Sequence, residues 1–448
     1  MNHKEIINHV LKSPNPKVKL AITDIDGVLR GKYINKEKFQ SALEGGFGFC
    51  SVVFGWDSSD ALYNNSSPVA GWHNGYKDHI AEIDLSSYRQ VPWDDEVSFF
   101  LADFSQSNHQ ACPRTLLKKI AHQAENMGFQ ALFSQEFEWF NFKETNQSIY
   151  NKPPSELQPL SNGMFGYSLL KLQQNHDYLN DLYNLLLQFN VPLEGLHTET
   201  GPGVLEAAIY YTEIIESADR ASLFKAATKE IALKHGIMPT FMAKISPDLP
   251  GSSGHVHQSL SDGKKNLFFD ANETHCMSPL MQSYLAGQMK VLPELLPMIA
   301  PTVNSYKRLV EGMWAPTIMN WGIDNRTTTF RVINNSEKAM RIEARAPGAD
   351  ANPYLAMAAL LAAGLYGIKH NLSLDTKAIA GNGYQDDNGE RLAPNLWQAT
   401  QKMKTSEIAC ELLGEEFINH FSATREWEWQ EYSKSVSDWE YKRYFEII

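Results

Sequence analysis

The sequence predicts an α+β protein in which a small β-rich unit precedes a larger unit of mixed helices and strands. Three observations predict it. Segments before residue 108 alternate polar and apolar residues at the period of a strand. From residue 113 onward amphipathic helices appear, and strand-like segments return between them at 129–142 and 250–260. The expected division is a first domain over 1–108 and a second over 109–448.

In order along the chain, KLAITDIDGVLRGKYI (19–34) reads as two short strands around an Asp26-Gly27 turn. The loop FGWDSSDALYNNSSPVAGW (54–72) is long for a compact domain, which marks it as functional or disordered. Residues 80–104 alternate again, with Pro92 as punctuation. PRTLLKKIAHQAENMG (113–128) is an amphipathic helix closed by Gly128, and FQALFSQEFEWFNF (129–142) follows as a strand. Residues 204–236 are expected to form long helices closed by Gly236, and TFMAKI (240–245) a strand. NPYLAMAALLAAGLYGIKH (352–370) is a strongly apolar helix with proline in its first turn, and the C-terminal residues hold more helix.

A chain of 448 residues can bury a large core, and its net charge of -12 argues against a nucleic-acid or anionic-membrane partner, which would need clustered Lys and Arg. No apolar run is long enough to span a bilayer, and MNHKEIINHVLKSPNPKVK lacks the apolar segment of a signal peptide. Cys50, Cys112, Cys276 and Cys410 match no zinc or disulfide spacing, so the expected location is a reducing cytoplasm.

Four segments carry candidate chemistry. In QEFEWF, Glu136 and Glu138 point to one face of a strand, where two carboxylates repel unless a cation lies between them. In HTETGPGVLEAAI, Glu199 and Glu206 bracket a Gly-Pro-Gly turn that folds the chain back. In PGSSGHVHQSL, His255 and His257 share a strand face, and the glycines allow close approach of backbone to a ligand. In MRIEARAP, Arg341, Glu343 and Arg345 alternate on one face. Each alone is matched by a bland alternative: a solvated strand face, a surface loop with an acid at a helix start, exposed histidines, a surface ion-pair ladder. Together, five glutamates and a histidine make a hard-ligand set suited to Mg2+ or Mn2+, and the arginines supply forks for carboxylate and phosphate. That combination is the equipment of phosphoryl transfer.

Seven segments in family order, QEFEWF, TETGPGVLE, KHGIMPTFMAK, GSSGHVHQSL, NSYKRLVEG, DNRTTTFRV and RIEARAPGADANPYLAMAAL, make the chain resemble the glutamine synthetase superfamily over nearly its whole length. The resemblance implies a β-grasp N-terminal domain and a catalytic domain built on a curved antiparallel sheet with surrounding helices. It implies a homo-oligomer, often a dodecamer of two stacked hexamers, with each site closed by a neighbour's N-terminal loop. It also implies ATP, two or three Mg2+ or Mn2+ ions per site, glutamate and an amine. Carried over residue by residue, Glu138, Glu199 and Glu206 resemble ligands of the metal on the glutamate side, and Glu136, His255 and Glu343 those of the metal on the ATP phosphates. Arg308 and Arg345 resemble clamps on the glutamate carboxylate, and the loop from Gly251 to Gly254 its approach. Arg326, Arg331, Arg341, His257 and Ser259 fall where the family contacts ATP, with Arg331 also suited to the transferring phosphoryl group. The implied chemistry is attack of a γ-carboxylate on ATP, then displacement of phosphate by an amine.

Three places depart from the family pattern. Ammonia-using members carry a flap glutamate in a segment reading roughly Pro-Gly-Tyr-Glu-Ala-Pro; here EGMWAP puts Trp314 at that place. An indole cannot act as the base that deprotonates ammonium, but it offers a flat apolar wall or a cation-π face. The loop that closes the neighbouring site reads Gly55-Trp56-Asp57-Ser58-Ser59-Asp60, with Asp57 as the candidate carboxylate on the amine side and Trp56 a second aromatic. Both changes are expected to favour an organic amine, aromatic like aniline or an alkylamine or polyamine, and so a place in amine catabolism or nitrogen metabolism. Ordinary glutamine synthesis from ammonia is the alternative, and a non-catalytic ring is disfavoured because all six metal ligands are present. Trp397 stands where some members carry an adenylylated tyrosine, which excludes that control here.

Overall fold

The computed structural model describes residues 1–64, 67, 69–104 and 111–448. The expected boundary at 108/109 lies outside the described residues. Ahead of it, β1 (Lys17–Thr23), β2 (Leu29–Asn35), β3 (Phe47–Cys50), β4 (Asp78–Ile83), β5 (Arg89–Val91) and β6 (Val97–Phe104) form a six-stranded sheet in the order β2-β1-β6-β4-β3, with β5 on β6. β1 and β2 are the expected hairpin, and β1 runs parallel to β6. One face of this sheet holds its own core, where Phe39 of the helix Lys36–Gly45 stacks on Phe100. Phe99 and Leu101, on the opposite face of β6, join the core of the larger unit.

The larger unit is built on nine strands. They are β7 (Gln130–Phe142), β8 (Leu193–Thr198), β9 (Val204–Ile209), β10 (Thr212–Glu213), β11 (Met238–Thr240), β12 (Gly254–Ser261), then β14 (Trp321–Ile323), β15 (Phe330–Ile333) and β16 (Arg341–Ala344), with β13 (Ile318–Met319) lying outside this sheet. Seven of them run in the order β14-β15-β16-β12-β7-β9-β8, with β10 and β11 also pairing with β7, and all pairs are antiparallel except β14–β15. β7 is the spine. Its odd-numbered Phe137 and Trp139 are buried against Phe224 of the helix Ile214–Lys234, which sends Glu136 and Glu138 to the other face. The apolar helix Pro353–Lys369 is buried on all sides, and it packs so closely on the helix Pro279–Leu295 that a Cβ on Gly367 would lie 2.0 Å from the Ser283 carbonyl.

Two expected elements need correction. Residues 204–209 are strand, and helix begins only at Ile214. Alanine-rich VLEAAI favours helix locally, but ladders to β7 and β8 bury it on both faces and override that propensity. TFMAKI is strand only at Thr240. Beyond it the Ala243 carbonyl accepts from Ser252 N–H (2.9 Å) and Lys244 N–H donates to the Asn304 side chain (2.8 Å), so the backbone serves a loop and not a ladder. Among the described residues no helix is long and apolar enough to cross a membrane.

Candidate active site

The strand register assembles the site. Glu136 on β7 lies opposite His255 on β12, Glu138 opposite Glu206 on β9, and Glu206 opposite His197 on β8. On the other flank His257 lies opposite Glu343 on β16, and Glu343 opposite Arg331 on β15. Directly opposed residues on one face have Cβ atoms about 5 Å apart, so this row becomes one continuous polar surface. Among the described residues, two groups of side chains converge tightly enough to share one ion: Glu136 with His255 and Glu343, and His197 with Glu199 and Glu206.

The first group contains the three residues expected together. His255 Nδ1 lies 3.3 Å from Glu343 and 3.5 Å from Glu136, yet both buried ring nitrogens make no hydrogen bond with the described residues. Burial, and then the Arg345 charge, lower the His255 pKa, so the imidazole keeps its lone pair at neutral pH. His257 is differently committed. Its Nδ1 accepts from Arg341 Nε (3.1 Å), which assigns the proton to Nε2, 3.4 Å from Glu136. His255 is therefore the free ligand of the pair.

The second group adds a residue to those expected. Glu199 and Glu206 come together, but the third member is His197, whose Nε2 is 3.8 Å from Glu206 and whose ring stacks on Tyr167 at 4.4 Å. Glu138 stands beside them with Oε2 accepting from Ser253 N–H (2.7 Å). Burial, Glu136 beside it and the charges of Glu138 and Glu199 push Glu206 up to about 12, while His255 and His257 overcome burial to hold Glu136 well below the usual carboxylate range. A carboxylate cluster with a neutral buried imidazole is the donor set of a hard divalent cation, so these residues fit Mg2+ or Mn2+.

Arginines close the other side. Glu343 accepts from Arg331 (2.7 Å) and from Arg345, and against its burial the Arg345 charge, with His255 and His257 beside it, holds it at about 2. Arg345 Nε also donates to the Arg326 carbonyl (3.1 Å). Arg308 is buried, donates to the Ala346 and Arg345 carbonyls (2.9 and 3.1 Å), and burial lowers its pKa to about 10. A cavity of about 490 Å³ is lined by both of these groups, Glu138, Gly251, Trp314 and Arg308, Arg326, Arg331 and Arg345. A second, of about 880 Å³, is lined by His257, Ser259 and Arg341. Both include Glu136 in their walls, so a molecule in one meets a molecule in the other at that carboxylate.

Residues 110–444 match the glutamine synthetase catalytic domain. The chain belongs to the glutamine synthetase family. It is 51% identical to type-1 glutamine synthetase 2 of Dictyostelium discoideum, covering 100% of this chain and 87% of that one. It is 35% identical to glutamate–isopropylamine ligase of a Pseudomonas species, over 100% and 99% of the two chains. Among solved structures, one titled as a GmaS/ADP complex superposes with a TM-score of 0.85 at 26% identity, covering 98% of this chain and 99% of the other. The fold is thus that of the glutamine synthetases, and ATP and divalent metals are the family's general requirement.

Within this family frame, four placements qualify the expectations. Gly254 does not line the cavity; its N–H donates to the Pro347 carbonyl (3.0 Å), and a Cβ there would lie 2.6 Å from the Gly348 carbonyl. Asp57 and Trp56 stand off the cavity of their own chain. Asp57 accepts from the Trp427 indole (3.2 Å) and from Ser59 and Ala61 N–H groups, and Trp56 faces Arg30 at 5.0 Å. Trp397 is partly exposed on the helix Leu396–Lys404. His197 and Tyr167 went unread, although His197-x-Glu199 has the same two-residue spacing as Glu136-x-Glu138.

Gly251 offers a direct test. A Cβ at this position would fall 2.6 Å from the Ala243 carbonyl and 2.6 Å from Arg308 Cγ. Gly251→Ala is expected to displace Arg308 and raise the KM for the carboxylate substrate about tenfold, with a smaller change in kcat. Steady-state kinetics checks it; an unchanged KM would show that Arg308 does not depend on this close approach.

Proposed function

We propose that the chain is an ATP-dependent ligase that phosphorylates the γ-carboxylate of glutamate and transfers the acyl group to an organic amine with an apolar substituent. The observation that carries the choice of amine is the flap. It contributes Met313 and Trp314 to the cavity wall, while its only carboxylate, Glu311, pairs with Arg391 at 3.0 Å. Trp314 is exposed, has φ +59°, and its carbonyl accepts from Arg345 at 3.5 Å. With Tyr167 also in the lining, two aromatic rings border the space where the amine would enter. An apolar substituent gains by leaving water there, whereas ammonium has no flap carboxylate to meet.

In this reading Arg308 and Arg345 orient the carboxylate substrate, and the nucleotide lies along His257, Ser259 and Arg341 with its phosphates towards Glu136. Arg326 and Arg331 neutralise charge on the transferring group. Divalent ions, when bound by the two groups, supply charge neutralisation at the phosphoryl oxygens. Arg331 and Arg345 hold Glu343 fixed on both oxygens, so the groups meet the reacting atoms already arranged. A ring oligomer, in which Asp57 and Trp56 serve a neighbour's cavity, is consistent with their distance from their own. A carbon–nitrogen ligase of this family using ammonia is the second reading, favoured by the 51% identity to a protein named as a glutamine synthetase.

The test is phosphate release with ATP, Mg2+ and glutamate against ammonia, isopropylamine, ethanolamine, putrescine and aniline. The apolar amines are expected to give the best kcat/KM, and Trp314→Glu to shift the preference towards ammonia by about tenfold or more. Best turnover with ammonia by the unaltered protein would establish the second reading instead.

A further inference from the structure

A third cavity, of about 790 Å³, lies between the β1–β2 hairpin and the helix Ile214–Lys234, apart from the residues assigned above. Its apolar lining includes Trp93, Phe99 and Phe189, whose rings are in contact, and Phe241. Four lysines and three carboxylates also reach it, and most of these charges are already satisfied. Glu230 faces Lys19 at 3.4 Å and accepts from the Trp93 indole at 2.6 Å, and Asp26 pairs with Arg425 at 2.6 Å. Asp350 accepts from the Thr302 hydroxyl at 2.9 Å and the Ser305 hydroxyl at 2.5 Å. Lys32 donates to the Gly48 carbonyl at 3.0 Å and faces Phe47 and Phe49.

Lys225 and Lys229 are left over. Neither forms an ion pair with a described residue; Lys225 donates to the Ala351 carbonyl at 3.2 Å and stands 5.7 Å from the rings of both Phe137 and Phe241, and Lys229 stands 6.0 Å from Phe241. They are four residues apart, so one helical turn presents both ammonium groups on one face. Neither ammonium has an ion pair within 4 Å among the described residues, although the Asp350 carboxylate acts on Lys225 from the same cavity wall, so an anion placed between the two lysines would add to that stabilisation. Burial, with Lys229 adding to it, lowers Lys225 to about 8, against the opposing charge of Asp350.

We propose that this cavity binds a small organic anion, a carboxylate or phosphate on an apolar body, with the charge between Lys225 and Lys229 and the body against the aromatic walls. The lining gives each part of such a molecule a matching surface: the two ammonium groups for the charge, and Trp93, Phe99, Phe189 and Phe241 for the body.

Calorimetric titration of the full Mg2+-loaded protein with benzoate, phenyl phosphate and inorganic phosphate tests this. At least one aryl anion is expected to bind at millimolar concentration or below, one per chain, and inorganic phosphate about tenfold more weakly because it has no apolar body. Tighter binding of phenyl phosphate assigns the charge to a phosphate, and of benzoate to a carboxylate. Added glutamate should leave the affinity unchanged, since displacement would place the probe on the active-site arginines and overturn the proposal. The double variant Lys225→Met and Lys229→Met keeps both stems, and is expected to lose about tenfold or more in affinity with ATP turnover unchanged. Silence from both aryl anions, or equal binding by the double variant, would overturn it. If that variant loses its circular dichroism signal, Lys229→Gln at the more exposed position should still weaken binding about threefold, and no change there would be equally fatal.

Discussion

Glu343→Gln is expected to lower ATP-dependent phosphate release by a factor on the order of 10³, with the protein still folded. Glu343 is 1% exposed and serves four neighbours: Arg331 at 2.7 Å, Arg345, His255 Nδ1 at 3.3 Å, and Glu136 through the shared group. Glutamine has nearly the same shape and can still accept from one arginine, but it carries no charge and cannot serve as an anionic ligand. The loss therefore falls on charge neutralisation at the phosphates. Glu343→Ala is the harsher variant, because it leaves the buried Arg345 guanidinium without its carboxylate, while Arg331 keeps Asp324 at 2.8 Å. Chelation by EDTA should produce the same inactive state reversibly, with activity restored by Mg2+ or Mn2+. Phosphate release and metal titration by calorimetry measure both effects. If Glu343→Gln turned over ATP at the original rate, the three-residue group would not be the nucleotide-metal site.

Arg114→Met is expected to destabilise the fold by about 3–5 kcal/mol, the typical cost of removing one partner from a buried charge network. Arg114 is 2% exposed. It forks onto both oxygens of Asp219 at 2.8 Å, and reaches Asp103 at 2.7 Å and Asp84 at 2.8 Å. Asp84 and Asp103 belong to the N-terminal sheet region and Asp219 to the helix Ile214–Lys234, where Tyr354 also donates to it at 2.8 Å. One side chain therefore ties the two units together. Without it three carboxylates remain, with Lys118 as compensation for only two of them. The pH dependence follows in sign. Although burial opposes it, Arg114 and Lys118 hold Asp84 well below the usual carboxylate range. A depressed folded-state pKa contributes stability above the unfolded value, about 3.9, and that contribution is lost as the pH falls towards the folded value. The gap between the unaltered protein and Arg114→Met should thus be widest near neutrality and narrow in acid. Urea midpoints at several pH values measure it, and a difference under 1 kcal/mol at pH 7 would mean the network is electrostatically neutral in its net effect.

Much of the site was legible because each strand carries its own signal. Glu136 with Glu138, His255 with His257, and Arg341 with Glu343 repeat at the two-residue period, which places them on one face whatever the rest of the fold does. The two misread elements failed for a related reason. VLEAAI has the composition of a helix and becomes a strand only because β7 and β8 bond to it on both sides, and TFMAKI leaves its ladder because its backbone is needed by Ser252 and Asn304. His197 was missed beside Glu199 and Glu206, since its place there depends on which strand lies beside which.

By itself the sequence determined the chemical kinds of the ligands, their shared faces within each strand, the N-terminal hairpin, and a flap bearing Trp314 where an acid is usual. Side-chain alternation and turn chemistry are local, so they can be read from neighbours in the chain. Only the tertiary structure decided that His197 lies with Glu199 and Glu206, that the His257 ring is committed to Arg341, and that Arg114 binds the two units. Those outcomes depend on register and burial between segments tens to hundreds of residues apart, where backbone pairing across the sheet, and not the local pattern, selects each residue's neighbours.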